Sequence, residues 1–229
     1  EEWLQAGRVT VDGQVARVGD QADPQQQTIH VDGQPLPSPG VARVLLMNKP
    51  VGVICSCDDP QGRRTVLDLL PPEHRAGLHS VGRLDADSHG ALLLTDLGEL
   101  TLKLTHPRYS HAKTYRVWVQ GVPSEPALDR WRRGVPLDGR LTRPARVRQL
   151  RTWGDRSLLE IELREGRNRQ IRRMAEALGY PVVDLQRTAI AGLPLGDLAE
   201  GCWIWLSEGE WKPLLERADP MDWPNSPCD

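Results

Sequence analysis

The segment GRLDADSHGALLLT occupies residues 82–95. It begins with a polar turn and ends in an apolar run, Ala91–Leu94, that is typical of a buried strand. Asp85, Asp87 and His89 stand at alternate positions in the turn, and Gly90 follows them. The stretch therefore predicts a strand preceded by a turn that carries two carboxylates.

The chemistry of this turn has several interpretations. A calcium loop also places carboxylates at alternate positions before a glycine, but here His89 takes a ligand position and Asp96 stands where a glutamate is wanted. Alternatively, one carboxylate beside Arg83 serves as a nucleophile or base. In the simplest interpretation, Asp85 caps backbone amides in a polar turn. The segment alone does not separate the last two.

Outward from this stretch, strand and helix patterns are interspersed. Strand patterns occupy residues 44–47, 115–119 and 158–163, and helical spacing occupies residues 97–104, 128–131 and 169–178. The order contains no regular strand–helix repeat, so the sequence predicts a mixed α/β or α+β sheet domain.

The first 36 residues predict a small separate unit. Residues 1–6 resemble the end of a helix closed by Gly7, and alternating apolar residues flank turns at Asp12-Gly13 and Asp32-Gly33. We therefore expect four regions: a partial module over 1–36, a linker over 37–42, a main domain over 43–211 and a tail over 212–229.

The net charge of −2 conceals a strongly basic block. Residues 130–173 contain 14 arginines and five acidic residues, so this window carries +9 while the rest of the chain carries −11. Such a block is typical of a site for a polyanion. The alternative is a solvated face with internal ion pairs.

Other features of the composition argue against membrane-spanning, secreted and zinc-binding classes of protein. The chain has no run of 18 apolar residues and no signal sequence, which argues against membrane spanning and secretion. A first residue of Glu suggests that the natural start is missing. Cys55, Cys57, Cys202 and Cys228 fit no zinc spacing and are expected to be reduced thiols of a cytoplasmic protein.

Two further segments carry candidate functional residues. In KTYRVWV (113–119), Tyr115 lies on one strand face and suits base stacking, proton transfer or simply a core position. In REGRNRQIRRM (164–174), arginines cluster where a helix is predicted to begin, and guanidinium groups at a helix start suit phosphate. An intrahelical ion-pair ladder that includes Glu165 is the alternative.

Taken in order, five segments resemble the pseudouridine synthases of the ribosomal small- and large-subunit family. They are NKPVGVICS (48–56), VGRLDADSHGALLLT (81–95), KTYRVWV (113–119), EGRNRQIRRMAEALGYPV (165–182) and LQRTAIAGLPLGDLAEG (185–201). The resemblance implies an α+β catalytic domain with a mixed, mostly antiparallel sheet and helices packed on it. GRVTVDG (7–13) also resembles the second half of a small alpha-L RNA-binding module, here truncated.

The resemblance implies a role for each matching residue. Asp85 would be the nucleophile that attacks the anomeric carbon or the pyrimidine ring of a flipped-out uridine, and Arg172 would pair with it. Tyr115 would pack on the base and is a candidate for removing the proton from carbon 5. Substrate contacts are expected from Arg83, Arg167, Asn168, Arg169, Gln170 and Leu185. RNA contacts are expected from Arg8, Lys49, Arg148 and Arg173.

The resemblance also implies the partners. We expect a monomeric, cytoplasmic isomerase without cofactor or metal that acts on ribosomal RNA or a ribosome assembly intermediate. One competing hypothesis is a non-catalytic RNA-binding factor, against which the matching Asp85, Tyr115 and Arg172 argue. Another is a metal-dependent phosphoesterase that uses Asp85, Asp87 and His89, whose activity EDTA would remove.

Overall fold

The computed structural model describes residues 2–23, 26–35, 42–57 and 59–216. The chain forms two compact units, Glu1–Ala42 and Arg43–Asp229. The expected linker over 37–42 lies outside the described residues except for Ala42, and so does the expected tail beyond residue 216.

The first unit is a helical turn followed by two hairpins, as predicted. Its elements are α1 (Glu2–Gln5), β1 (Val9–Val11), β2 (Gln14–Val15), β3 (Ile29–Val31) and β4 (Gln34–Pro35). The strands form an antiparallel sheet in the order β2-β1-β3-β4. Both turns adopt positive φ, 49° and 82° at Asp12-Gly13 and 53° and 76° at Asp32-Gly33. Asp-Gly pairs tolerate this conformation and therefore set the hairpins.

The second unit is built on a nine-stranded sheet. Its strands are β5 (Val44–Lys49), β6 (His79–Ser80), β7 (His89–Thr95), β8 (Lys113–Gln120), β11 (Arg146–Trp153), β12 (Arg156–Leu163), β13 (Val182–Ile190), β14 (Leu193–Pro194) and β15 (Trp203–Trp205). The main order is β11-β12-β8-β13-β7-β5-β15, while β6 pairs with β7 and β14 with β13. The β13–β7 pair is parallel and the other described pairs in this sheet are antiparallel. The predicted α+β class with a mixed, mostly antiparallel sheet is confirmed.

The remaining elements of this unit are helices and one small hairpin. They are α2 (Pro72–Arg75), α3 (Gly98–Thr105), α4 (Glu125–Arg133), α5 (Gln170–Ala177), α6 (Glu208–Glu216) and the pair β9 (Pro136–Leu137) and β10 (Arg140–Leu141). The helices predicted over 97–104, 128–131 and 169–178 are present as α3, α4 and α5. Helix α6 crosses the expected boundary at residue 211 and buries Trp211 and Leu214.

Strands β8, β11, β12 and β13 have one buried face and one accessible face. Tyr115, Val117 and Val119 of β8 point into a core with Trp131 of α4 and Met174 of α5. We call this side the cleft face. The alternate residues Arg116 and Trp118 point to the other side, which we call the open face. The strict alternation of β8 follows from the two-residue period of a strand.

Strand β7 holds the turn over residues 82–89, which we call the acidic turn, close to β13. Gly90 pairs with Arg187 across the parallel β7–β13 step. A Cβ on Gly90 would lie 2.2 Å from the Arg187 carbonyl oxygen, and φ at Gly90 is +107°. Only glycine fits this approach, so Gly90 fixes where the turn over 82–89 leaves the sheet.

In the described part of the chain, no helix is long and apolar enough to cross a membrane. Cys55, Cys57 and Cys202 are free thiols, and Cys228 lies outside the described residues.

Candidate active site

A cleft of about 500 Å³ opens on the cleft face between the acidic turn and the segment that leads into α5. Asp85 and Arg83 line it from the turn, and Asn168 and Arg169 line it from the other side. The structure thus brings together residues about 80 positions apart in the sequence, as the resemblance predicted.

The turn that carries Asp85 is fixed through its backbone. The Ser88 amide donates to the Asp85 carbonyl at 3.1 Å, and the Gly52 amide donates to the Ala86 carbonyl at 2.7 Å. The Leu84 amide donates to Cys55 Sγ at 3.3 Å, and burial raises the pKa of this thiol. The backbone bonds leave the side chain of Asp85 free to face the cleft.

Asp85 and Asp87 have different partners. Asp87 accepts two hydrogen bonds from Arg169, at 3.1 and 2.7 Å. These bonds, together with the charge of Arg172, lower the pKa of Asp87. The nearest cation to Asp85 is Arg169, whose Nη1 lies 3.6 Å from Oδ2. Within the described residues the Asp85 carboxylate accepts no hydrogen bond, so its oxygens are available to a ligand.

Arg172 does not pair with Asp85, which corrects the sequence expectation. Its Nε lies 3.4 Å from Asp87 Oδ2, and its Nη2 donates to the Asp87 carbonyl at 2.6 Å and to Ser88 Oγ at 3.2 Å. Arg172 therefore ties the acidic turn to α5. The cation facing Asp85 is Arg169, which adopts a left-handed φ of 47° just before α5.

Lys49 is not available to RNA, and that expectation is wrong. Its side chain is fully buried, and Nζ donates to the carbonyls of Pro50 at 2.8 Å and Val53 at 2.7 Å. Burial lowers the pKa of Lys49, while the charges of Cys55, Asp85 and Asp87 act in the opposite direction. The ammonium group thus holds the loop over 50–53, whose Gly52 amide donates to the Ala86 carbonyl of the acidic turn.

Two buried apolar side chains line the cleft. Tyr115 is 9% exposed and Leu185 is 5% exposed, and both line the same cleft as Asp85. Arg83 is exposed and lies at the cleft wall two residues before Asp85. An aromatic ring, an aliphatic side chain and a cation therefore line the same cleft, a combination suited to a flat polar ligand.

Two of the expected substrate residues serve the protein instead. Arg167 donates to the carbonyls of Arg140 at 3.0 Å and Leu141 at 2.6 Å and pairs with Glu165. Gln170 is 4% exposed and donates to Glu165 at 2.7 Å. Their polar groups are already occupied, so both hold the loop in place. Asn168 remains exposed at the cleft.

The other expected RNA contacts lie outside the cleft; Arg8 and Arg148 are exposed, and Arg173 is half-buried. Arg148 pairs with Glu160 at 2.9 Å, and Arg173 pairs with Asp138 at 2.6 Å. Arg8, in the first unit, pairs with Asp32. Their positions allow contact with a polyanion, although each would exchange a carboxylate partner for it.

Sequence reasoning missed two cations in the cleft, Lys113 and Arg187. Burial, and after it the charge of Arg187, lowers the pKa of Lys113 to about 8. Arg187 is 3% exposed and donates to the Ala91 carbonyl at 2.7 Å. Lys113 lies two residues before Tyr115 and Arg187 two after Leu185, so the strand period could have placed both on the cleft face.

The metal-dependent alternatives gain no support from the geometry. His89 Nε2 lies 3.1 Å from Asp184, whereas Asp87 is engaged with arginines. Across the described residues, no group of three or more His, Cys, Asp or Glu side chains could hold a metal ion.

Known proteins resemble this chain over most of its length. A family model described as RNA pseudouridylate synthase matches residues 43–177. The chain is 36% identical to an RNA pseudouridine synthase of Aquifex aeolicus, over 94% of this chain and 87% of that protein. It is 37% identical to ribosomal large subunit pseudouridine synthase B of Bacillus subtilis, over 96% of this chain and 90% of that protein. A crystal structure of a pseudouridylate synthase superposes with a TM-score of 0.70 at 30% identity, covering 93% of this chain and 91% of the other.

Proposed function

Because the chain belongs to the RNA pseudouridylate synthase family, whose members are isomerases that act on RNA, we propose that it converts a specific uridine of ribosomal RNA to pseudouridine with Asp85 as the nucleophile. The observation that carries the assignment of Asp85 is its accessible carboxylate. It faces the cleft without a hydrogen bond in the described structure, whereas Asp87 is held by Arg169.

The reaction needs a carboxylate that is ionised and not blocked. The carboxylate of Asp85 attacks either the anomeric carbon or the pyrimidine ring, and the bond between N1 and the anomeric carbon breaks. The uracil then rotates and forms a bond from carbon 5 to the anomeric carbon, the carbon 5 proton passes to a base, N1 takes up a proton, and the carboxylate is regenerated. The product is an isomer of the substrate, so the atoms balance without an oxidant or reductant.

The cleft supplies groups suited to each stage. Tyr115 and Leu185 form an apolar site for the base, and Tyr115 is a candidate to accept the carbon 5 proton. A detached uracil carries negative charge on its ring, and preorganised cations stabilise such a charge. Lys113, with a pKa of about 8, is largely protonated at pH 7 and lines this part of the cleft.

The uridine must leave its stack before Asp85 can reach it. Extrusion of a base requires about a few kcal/mol of unstacking and unpairing energy. Arg83 lies at the cleft wall two residues before Asp85 and is exposed. We assign it the position vacated by the extruded base, where its planar guanidinium can stack on neighbouring bases.

Ribosomal RNA is the proposed substrate because relatives that match most of this chain are named for the ribosomal large subunit. We further propose that the first unit is a partial alpha-L RNA-binding module, since its hairpins place Arg8 on an exposed surface.

Carbodiimide-based mapping of pseudouridine in ribosomal RNA tests the proposal. Cells that lack this protein should lose one modified position, and the wild-type gene should restore it. A gene with Asp85→Asn should not restore it. An unchanged pseudouridine pattern in cells that lack this protein would rule out the proposed substrate.

A further inference from the structure

The open face of the sheet carries residues that the cleft does not use. Strand register aligns Arg151 of β11 with Leu158 of β12 and Trp118 of β8. The next aligned row contains Trp153 and Arg156. These side chains therefore share one face, on the side of the sheet opposite to Tyr115.

Two tryptophans on this face are accessible. Trp153 is 74% exposed, so most of this large apolar side chain faces solvent and not the core. Trp118 is half-buried, and the Arg151 guanidinium lies 5.0 Å from its ring centroid. Trp153 therefore offers an open ring for stacking, and the Arg151 guanidinium over Trp118 offers a second planar group on the same face of the sheet.

The arginines of the open face fall into two groups. Arg148 pairs with Glu160 and Arg146 with Glu162, so the negative charge of β12 is matched. The other three, Arg116, Arg151 and Arg156, make no ion pair within the part of the chain that the structure describes. They are exposed and outnumber the remaining carboxylates near the tryptophans, which are Asp184 beside Trp118 and Asp155 in the β11–β12 turn, so this face keeps a net positive charge.

We propose that the open face is a second RNA-binding surface, which holds a single-stranded segment that flanks the modified uridine. Its bases stack on Trp153 and on the Arg151 guanidinium over Trp118, and its phosphates contact the unpaired arginines. Single-stranded nucleic acid is the partner of choice because it needs both features: a basic track for the backbone and aromatic rings for the bases. An acidic peptide would need the arginines but not the exposed rings.

This inference rests on the proposed function only for the identity of the RNA. Binding can therefore be measured with a probe that requires no catalysis, a single-stranded oligouridylate of about 20 nucleotides. Affinity is measured against salt concentration for the intact chain and its variants, and tritium release from carbon-5-labelled ribosomal RNA is measured separately.

The triple variant Arg116→Ala, Arg151→Ala, Arg156→Ala should bind the oligouridylate on the order of 100-fold more weakly at 0.1 M salt. The slope of log K against log salt should become shallower by about 2, since each phosphate contact on a single strand contributes about 0.7. Trp153→Leu should weaken binding by about 5- to 100-fold, and Trp153→Phe should restore most of it because a ring remains.

The matched control removes three exposed arginines elsewhere, Arg64, Arg130 and Arg133, each replaced by Ala. Trp205→Leu serves as the control for an exposed tryptophan on another strand. An equal loss in the controls, or unchanged affinity in the open-face variants, would overturn the proposal. Equal displacement of the probe by polyglutamate and by unlabelled RNA would overturn it as well, in favour of an acidic protein partner. A chain that never releases tritium but shows the predicted binding losses would refute the proposed function and leave this surface intact.

Discussion

Arginines occupy both faces of the sheet, but the two sets are held in opposite ways. Near the cleft, Arg167 and Arg172 donate to backbone carbonyls, and Arg169 is bonded to Asp87. On the open face, Arg116 and Arg156 project from strands without a carboxylate partner in the described structure. The first set fixes geometry, and the second set offers charge. The same residue type should therefore affect turnover on one face and salt-dependent affinity on the other.

The sharpest contrast pairs Arg172 with Arg148. Arg172→Ala should lower the single-turnover rate about 100-fold, because the acidic turn loses its ties to α5 and small displacements of a reacting group have effects of this size. Arg148→Ala should leave that rate unchanged and weaken binding only modestly, in a salt-dependent way, because Arg148 must exchange Glu160 for a phosphate. Rapid-quench measurement of tritium release at saturating enzyme separates the two. Similar behaviour of the two variants would contradict the assignment of turnover to the cleft face and of salt-dependent affinity to the open face.

Deletion of residues 1–36 tests whether the first unit, which carries two arginines among six acidic residues, adds contacts with RNA. The remaining chain should stay folded, since it forms a compact unit of its own. Its affinity for long RNA should fall about tenfold, as expected when one or two phosphate contacts are lost near 0.1 M salt. Circular dichroism and filter binding measure the two properties. An unfolded product would show that the units share a core.

Lys113 provides a smaller, pH-dependent effect in the cleft. Its pKa of about 8 means that it loses its charge as the pH rises from 7 to 9. The single-turnover rate of tritium release by the wild type should fall by up to about tenfold over this range, because only the charged form stabilises the detached uracil. Lys113→Met should be slower at pH 7 and show a flatter pH profile. Identical profiles for the two proteins would exclude Lys113 from this role.

The smallest effect concerns the stability provided by Asp87. Its pKa is lowered in the folded protein. The ionised carboxylate therefore stabilises the fold at pH values above the pKa that Asp87 has in the unfolded chain. This contribution is lost as the pH falls through the folded pKa, and its exposure limits it to about 1 kcal/mol or less. Urea unfolding of the wild type and Asp87→Asn should differ at pH 6 and converge near pH 3. A difference that grows on acidification would contradict the assigned ion pair.

Much of the fold follows from local patterns in the sequence. The Asp-Gly hairpins, the alternation of Tyr115 and Val117, and the helical spacing of Ile171 and Met174 all predict elements that are present. Strand β15 was not predicted, because its three residues pair with β5 from about 150 positions away. That edge strand pairs with Leu45, Leu46 and Met47 of β5, while Lys49 is held by the Pro50 and Val53 carbonyls.

The roles of the site arginines could not be predicted in the same way. Asp85 and Tyr115 follow from motif position, but the partner of each arginine depends on where α5 begins. The left-handed conformation of Arg169 turns its side chain toward both carboxylates, and periodicity alone carries no sign of it. Because α5 begins directly after Arg169, Arg172 on its first turn lies beside Asp87 and not beside Asp85.

The most direct test of the account compares the two carboxylates of the acidic turn. Tritium release from carbon-5-labelled ribosomal RNA is measured under single-turnover conditions for the wild type, Asp85→Asn and Asp87→Asn, with RNA binding measured in parallel. We predict that Asp85→Asn binds RNA normally and releases no tritium, while Asp87→Asn is slowed but active. Wild-type release by Asp85→Asn, or complete loss confined to Asp87→Asn, would contradict the assignment of Asp85 as the nucleophile.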